Sequence, residues 1–148
     1  MELHALKEAT LVWGPLSEEA VQRLKREGSV AVVAENRPSL AGLKHDLPLL
    51  AKEGIASVYC PDNALGLLFY KQKIRKAFIS RGSGSLYAAL LSKVHGVPFE
   101  VIEPGPVNVK DLDRDASTLE GRNFILEVDR EEYIIEPDEE LTDAEVAE

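Results

Sequence analysis

Residues 29–34 read Ser29-Val30-Ala31-Val32-Val33-Ala34, and the polar group Glu35-Asn36-Arg37-Pro38 follows them directly. The run contains three valines and ends at residues that favour a turn. A short, β-branched apolar run bounded in this way is typical of a strand in a parallel sheet that is buried on both faces. The stretch therefore predicts a central element of an α/β fold.

The chain on both sides of this run repeats the pattern, with helices alternating with strands. Further strands are expected at Ile55–Cys60, Ala77–Ser80 and Pro98–Glu103. Helices are expected at Ser17–Gly28, Ser39–Lys52, Ala64–Lys73 and Ser85–His95, the second of them kinked or split at Pro48. Such alternation predicts βαβ units with right-handed crossovers. The predicted fold class is α/β, a three-layer Rossmann-like structure with a mainly parallel sheet.

One domain covering residues 1–148 is expected, because the chain has the length of a single compact core. Its first fifteen residues, 1–15, form an uncertain N-terminal extension in which His4–Val12 is either a helix or a strand. After Glu103 the alternation stops and the chain becomes polar and irregular. Two short strands are expected there, at Phe124–Val128 and Tyr133–Glu136, before an acidic tail at 137–148.

The composition excludes several classes of protein. A formal net charge of −9 argues against nucleic acid as a partner, because such binding requires a basic face. No stretch approaches eighteen apolar residues, so a membrane partner is not expected. The N-terminus shows no signal-peptide pattern, and a cytoplasmic location is expected.

Neither a metal nor a cofactor is predicted. The three histidines, His4, His45 and His95, are scattered without the spacing of a metal site. His45 and the neighbouring Asp46 are expected on the exposed side of their helix. The single cysteine, Cys60, ends an apolar strand and is expected to be an inert thiol of the core rather than a nucleophile.

Polar residues follow each expected strand, and the carboxyl ends of parallel strands are where ligands bind. The third loop contains two glycines and precedes a helix, so its N–H groups and the helix N-terminus are suited to an anion. Two arginines in these loops add donors for a phosphate. The predicted anion-binding residues are Asn36, Arg37, Asp62, Arg81, Gly82, Ser83, Gly84 and Ser85.

A purely structural interpretation stands beside each of these residues. The third loop is either an anion site or a plain turn in which Ser83 or Ser85 caps the helix. Arg37 either clamps a ligand or pairs with Glu35 or Asp62. Asp62 either caps the short helix that follows it or accepts a hydrogen bond from a ligand hydroxyl.

The segment Glu35-Asn36-Arg37-Pro38, with Gly42 four residues further on, resembles the "E-x-R-P-x-x-x-G" loop of the initiation factor 2B alpha/beta/delta group. That group includes methylthioribose-1-phosphate isomerase and ribose-1,5-bisphosphate isomerase. The similarity extends over roughly residues 17 to 145 and implies the C-terminal, Rossmann-like half of that fold. Further matching motifs are Lys52-Glu53-Gly54-Ile55, Pro61-Asp62-Asn63-Ala64, Ile74-Arg75-Lys76-Ala77-Phe78-Ile79, His95-Gly96-Val97-Pro98-Phe99 and Tyr133-Ile134-Ile135-Glu136-Pro137.

The sequence departs from this group where the isomerases carry their chemistry. Their "G-A-D" turn with its catalytic aspartate has no counterpart after Ser80, and only Gly84-Ser85 matches the end of their "N-K-x-G-T" segment. Neither their N-terminal helical domain nor their catalytic cysteine has a match in this sequence, since Cys60 is in another place. The resemblance thus implies a truncated and divergent member without identifiable catalytic residues.

Three functions are compatible with this pattern. The first is a non-catalytic ligand-binding or regulatory domain that keeps a cleft for a phosphorylated small molecule. The second is a divergent sugar-phosphate isomerase, or another enzyme acting on a phosphorylated metabolite. The third is a structural dimerisation module. The missing proton-transfer groups favour a chain that is not an enzyme.

A homodimer is expected from the helix at Ala64–Lys73. This helix carries Leu65, Leu67, Leu68 and Phe69 and is too apolar to face water all round. The resembling group also pairs through this half of its chain. Burial within one subunit is the competing explanation.

Overall fold

The computed structural model describes residues 3–37, 39–82 and 84–106. Five parallel strands form one sheet with the order β3-β2-β1-β4-β5. The strands are β1 (Ala9–Trp13), β2 (Ala31–Ala34), β3 (Ser57–Cys60), β4 (Ile74–Ser80) and β5 (Phe99–Ile102). The helices are α1 (Glu18–Glu27), α2 (Leu47–Lys52), α3 (Leu65–Tyr70) and α4 (Ser85–Val94). This architecture confirms the predicted α/β, Rossmann-like fold.

Strand β1 occupies the centre of the sheet. The sequence left its conformation open, and the structure makes it a strand preceded by a short 3₁₀ turn at Leu3–Ala5. All five residues of β1 are buried, because β2 and β4 pair with its two edges and helices cover its two faces. The expected strands at Phe124–Val128 and Tyr133–Glu136, and the acidic tail at 137–148, lie outside the described residues.

Helices α1 and α2 cover one face of the sheet. Helix α1 follows its sequence signals closely: Ser17 caps it by accepting a hydrogen bond from the Ala20 N–H, and Gly28 ends it in a left-handed conformation. Its buried residues pack on side chains that β1, β2, β3 and β4 direct to this face. Alternate strand residues point to opposite faces, which explains why neighbours along one strand belong to different halves of the core.

The helix expected at Ser39–Lys52 is divided into two parts. A π-helical turn spans Gly42–Asp46, and α2 continues from it with Pro48 in its first turn. A proline is tolerated there because the first N–H groups of a helix need no partner within it. Gly42 lets the turn approach β2, since a Cβ at this position would lie 1.8 Å from the carbonyl oxygen of Ala34.

Helices α3 and α4 cover the opposite face, together with Leu3 and Leu6 from the start of the chain. The apolar side of α3 packs against this face, where Leu65, Leu68 and Phe69 are almost completely buried. Burial within one subunit therefore explains the apolar character of α3. The homodimer stays a prediction that this helix no longer supports.

Within the part of the chain that the structure describes, no helix is long and apolar enough to cross a membrane. The strand order places a topological switch point between β1 and β4, because α1 and α2 connect strands on one side of β1 while α3 leads back across it. In open α/β sheets, ligands bind beyond the carboxyl ends of the strands near such a point.

Candidate functional site

The carboxyl edge of the sheet brings together most of the residues that the sequence singled out. Because all strands are parallel, the loops after β1, β2, β3 and β4 begin at this same edge. The candidate site is built from the end of β1, the loops after β2 and β3, and the glycine loop that leads from β4 into α4. Of the predicted residues, Ser83 lies outside the described part of the chain.

Asp62, which follows β3, organises the loop after β2. One carboxylate oxygen accepts a hydrogen bond from the backbone N–H of Asn36 at 2.6 Å, and the other accepts one from the N–H of Arg37 at 2.8 Å. Asp62 does not cap its own helical turn, whose cap residue is Pro61. Its two hydrogen bonds join it to residues 25 and 26 positions away along the chain, and the proposed contact with a ligand hydroxyl stays a prediction.

Asn36 carries a polar group that has no partner among the described residues. Its backbone adopts a positive φ of 61°, a conformation that asparagine tolerates better than most residues. The residue is only 6% exposed, and its amide Nδ2 makes no hydrogen bond to the part of the chain that the structure describes. Buried donors are normally paired, so this amide is a candidate for contact with a ligand or an ordered water.

Arg37 forms an ion pair with Glu35, one of the alternatives that the sequence left open. Its Nε lies 2.5 Å from Oε1 of Glu35, while most of the guanidinium side chain remains exposed. Glu35 is buried and also accepts a hydrogen bond from the hydroxyl of Tyr59. Burial first, and then the negative charge of Glu35, raise the pKa of Tyr59 well above its usual range, so this hydroxyl remains a donor.

Arg81 lies on the other side of β1 from Arg37. Its Nε is 3.2 Å from Oε1 of Glu103, and both side chains are largely exposed. The two arginines thus follow strands that β1 separates, and each pairs with a different carboxylate.

The glycine loop presents the N-terminus of α4 to this edge. Gly84 is the cap residue, with a φ of 76°, and as a glycine it has no side chain with which to cap the helix. A Cβ at Gly84 would lie 2.5 Å from the ring of Trp13, so only glycine fits here. The expected cap at Ser85 is wrong, because Ser85 is already the first helical residue and its N–H bonds to the carbonyl of Gly82.

The first turn of α4 is also free of acidic residues, in contrast to α1, which begins with Glu18 and Glu19. The first N–H groups of any helix lack partners within the helix. The N–H of Ser85 is already bonded to the carbonyl of Gly82, so it is the N–H groups that follow it, together with the helix dipole, that favour an anion at the start of α4.

Sequence reasoning missed two aromatic residues beside the site, the buried Trp13 and the partly exposed Tyr87. The rings of Trp13 and Tyr87 meet edge to face with their centroids 5.6 Å apart. The hydroxyl of Tyr87 donates to the backbone carbonyl of Asp62 at 3.3 Å. Trp13 ends a segment whose conformation was ambiguous, and Tyr87 lies inside a helix, so neither belonged to a loop where a ligand residue was sought.

The loop after β1 occupies the switch point on the side of the sheet that α1 covers. The carbonyl oxygen of Pro15 accepts hydrogen bonds from the hydroxyl of Ser80 at 2.6 Å and from the N–H of Gly105 at 3.0 Å. The N–H of Leu16 donates to Oδ1 of Asp46 at 2.8 Å. The chain itself satisfies these groups, so they are not available to a ligand.

The expectation that His45 and Asp46 face solvent is wrong. Asp46 is completely buried, and the ring of His45 reaches the carbonyl oxygen of Leu16 at 3.0 Å. A π-helical turn holds more residues than an α-helical one, so the α-helical period assigned these side chains to the wrong face. Burial raises the pKa of Asp46 well above its usual value, and its Oδ2 has no partner among the described residues.

Cys60 is not a nucleophile in this structure. Its thiol is buried and donates to the carbonyl of Pro61 at 3.1 Å. Burial, and to a lesser degree the charges of Asp62 and Glu35, raise the pKa of Cys60 to about 12. Among the residues described, no group of three or more histidine, cysteine or acidic side chains could hold a metal ion.

A separate groove of about 270 Å³ lies between α1 and β5. Arg23 reaches across it and holds Glu100 with two hydrogen bonds of 2.8 and 2.6 Å. This bond lowers the pKa of Glu100 and raises that of Arg23. Because Glu19 and Glu103 also line the groove, its charge is unfavourable for a phosphate.

Comparison with known proteins supports a relationship to one group of enzymes. The chain is 31% identical over 90 residues to a methylthioribose-1-phosphate isomerase of Oleidesulfovibrio alaskensis, a match that covers 53% of this chain and 25% of that protein. It is 30% identical over 103 residues to a protein of Aeropyrum pernix whose name gives the same activity, covering 62% of this chain and 28% of that protein.

The matched segment therefore spans about a quarter of the length of these relatives. No protein-family model matches the chain. The similarity agrees with the resemblance found in the sequence as far as the isomerases are concerned.

Proposed function

We propose that this chain is a non-catalytic ligand-binding or regulatory domain, related to methylthioribose-1-phosphate isomerases, that binds a phosphorylated small molecule at the carboxyl edge of its sheet. The observation that carries the proposal is the start of α4 at the cap residue Gly84, which has no side chain, on the same edge as the Asn36 amide that lacks a partner among the described residues. Free N–H groups at a helix N-terminus suit a phosphate, and a buried unpaired donor indicates a missing acceptor.

The arginines at this edge support the same ligand class. Arg81 pairs with Glu103 in an exposed ion pair, and such pairs contribute at most about 1 kcal/mol to stability. The guanidinium can therefore exchange its carboxylate for a phosphate at little cost. Arg37 is also largely exposed, although its partner Glu35 is buried. Local donors of this kind can attract an anion despite the net charge of −9.

A catalytic role has less support. An isomerase that moves protons between adjacent carbons needs an acid or base with access to the substrate. Both oxygens of Asp62 accept backbone N–H groups, and the thiol of Cys60 is buried with a raised pKa. We therefore keep a divergent isomerase, or another enzyme on a phosphorylated metabolite, as an alternative that activity measurements decide.

The wider relationships belong to the same proposal. We infer a link to the initiation factor 2B subunits from the loop motif around Arg37. We also infer that the protein is cytoplasmic and that two copies of the chain pair. If no anion binds, the hypothesis of a structural dimerisation module takes the place of the ligand-binding proposal.

Calorimetric titration tests the central claim. Purified protein is titrated with inorganic phosphate, ribose 5-phosphate and methylthioribose 1-phosphate, and each mixture is also assayed for isomerisation. We expect binding without turnover, and a loss of affinity of about tenfold or more in Asn36→Ala and in Arg81→Ala.

Arg75→Ala is the matched control, because Arg75 is an exposed arginine near the opposite end of β4. Equal affinity in Arg81→Ala, Asn36→Ala and the parent refutes the site. Turnover that the Arg81→Ala substitution abolishes supports the enzymatic alternative.

A further inference from the structure

Charge is divided unevenly along the chain. Residues 107–148 contain fifteen acidic and four basic residues, which gives this part a formal charge of −11. Residues 1–106 contain eleven acidic and thirteen basic residues and carry a formal charge of +2. The acidic tail at 137–148 holds six acidic residues and no basic one. The net charge of −9 therefore comes from residues that follow the described part of the chain.

The described part of the chain gathers basic side chains at the amino ends of the strands. Because the sheet is parallel, the helices that connect its strands end at this edge, opposite to the candidate site. Lys7 lies two residues before β1, and Arg26 lies in the last turn of α1. Lys71 and Lys73 lie between α3 and β4, and the carbonyl of Lys73 accepts a hydrogen bond of 2.9 Å from the N–H of Ala9 at the start of β1. We call Lys7, Arg26, Lys71 and Lys73 the basic edge.

The charge of the basic edge is largely uncompensated. Among the residues that the structure describes, no ion pair includes any of its four members. Glu27 and Glu53 lie at this edge but already pair with other lysines, which leaves Glu8 as a nearby acidic side chain. The dipole of α1 favours a cation in its last turn, whereas Lys7 and Lys73 lie outside the helices. An acidic partner would therefore find unpaired cations here.

The sequence that follows the described residues is long enough to reach this edge. The chain leaves the sheet at Gly105, whose N–H donates to the carbonyl of Pro15 at the carboxyl edge. Strand β4 has seven residues, so the two edges lie about 20–25 Å apart at the usual rise of a strand. Thirty residues, 107–136, precede the acidic tail, and a flexible chain of that length spans about 30 Å.

We propose that the acidic tail, residues 137–148, binds the basic edge of the same chain. Opposite charge supplies the attraction, and attachment within one chain supplies an effective concentration in the millimolar range. A tail that binds the edge with a dissociation constant of about 0.1 mM would therefore occupy it about nine-tenths of the time. The tail thus shields the basic edge from other polyanions.

Coupling with a carbodiimide tests the contact in the full chain, because this reagent joins lysine amines directly to carboxylates that touch them. The monomeric product is digested and analysed by mass spectrometry. We expect Lys7, Lys71 or Lys73 to be joined to carboxylates of residues 137–148 at low salt. In 1 M salt, where screening reduces the range of the attraction to about 3 Å, these products should decrease strongly.

Lys44 is the matched control for this coupling. It precedes His45, whose ring reaches the carbonyl oxygen of Leu16, and the backbone of Gly105 packs closely against that same carbonyl. A tail without preference for the basic edge would meet Lys44 at least as often as the distant lysines, because Lys44 lies near the point where the chain leaves the sheet. Coupling chiefly to Lys44, or coupling only between two copies of the chain, overturns the proposal.

Neutralisation of the tail tests whether it shields the basic edge. The variant carries amides in place of the six acidic residues of the tail, Asp138, Glu139, Glu140, Asp143, Glu145 and Glu148. Calorimetric titration with heparin, a polyanion, should give a dissociation constant about tenfold lower than that of the parent, because the competing tail is lost.

A second variant changes the net charge equally but keeps the tail. It carries amides at six acidic positions nearer to the described residues, Asp111, Asp113, Asp115, Glu120, Glu127 and Asp129. Its affinity for heparin should lie within about threefold of the parent value, since the tail still competes. An equal gain in both variants would show an effect of net charge alone and overturn the proposal, as would no gain in the neutralised tail.

Discussion

Replacement of the buried Asp46 by asparagine should change how stability depends on pH. The folded protein holds the proton of Asp46 more tightly than the unfolded chain, because burial raises its pKa well above the usual value of about 3.9. From about pH 4 upward, the unfolded chain has lost this proton while the folded protein still binds it. The free energy of unfolding therefore falls as pH rises, until the folded group also ionises.

The magnitude follows from proton linkage. Within that window one additional proton is bound in the folded state, so stability falls by about 1.4 kcal/mol for each pH unit. An asparagine keeps an oxygen that can accept from the N–H of Leu16, which Asp46 binds at 2.8 Å, but it does not titrate. The free energy of unfolding of Asp46→Asn should thus increase relative to that of the parent as pH rises, and the two values should be closest near pH 4.

Urea unfolding at pH 5, 6, 7 and 8 measures this difference. His45→Gln serves as the control, because a glutamine amide can still donate to the carbonyl oxygen of Leu16 while Asp46 is unchanged. The fall in stability that Asp46 causes should therefore persist in His45→Gln. Parallel stability curves for Asp46→Asn and the parent would show that Asp46 ionises alike in both states, and the argument from burial would fail.

Three further substitutions test the geometry of the site and its surroundings. Asp62→Ala removes two hydrogen bonds to backbone N–H groups, one of them part-buried. It should lower the free energy of urea unfolding by about 2–3 kcal/mol, and a loss below about 0.5 kcal/mol would contradict the role of Asp62 in holding the loop after β2. Gly84→Ala places a Cβ 2.5 Å from the ring of Trp13 in a left-handed conformation, so it should cost about 2–4 kcal/mol in the same assay, and a neutral result would mean that the loop is not held as described. Glu100→Gln removes the charge that pairs with Arg23 and leaves the guanidinium over the ring of Phe78, so it should cost less than about 1 kcal/mol, with a smaller loss in 1 M salt. A larger loss that salt leaves unchanged would contradict an exposed ion pair.

The amino-acid sequence by itself determined the elements whose signals are local. The cap at Ser17 and the end of α1 at Gly28 follow from the preferences of those residues, and the valine-rich run predicted β2. The alternation of strands and helices was sufficient for the parallel fold class. The same local patterns placed the loops of Asp62 and Gly84 at one edge of the sheet.

Only the tertiary structure decided where β1 lies and what the polar side chains contact. The pattern of His4–Val12 fits a helix or a strand, and pairing with both β2 and β4 selects the strand at the centre of the sheet. Asp62 binds N–H groups 25 and 26 residues away, and such partners leave no trace in local spacing.

Local sequence patterns also failed to predict the contacts of Asp46 and Tyr87. The π-helical turn buries Asp46 against the loop after β1, although the α-helical period assigns it to the surface. Tyr87 becomes part of the candidate site because its hydroxyl meets the carbonyl of Asp62 across the edge of the sheet. Local sequence determines the type of an element, whereas contacts between residues distant in the chain determine which of its side chains meet, because those contacts exist only once the sheet has assembled.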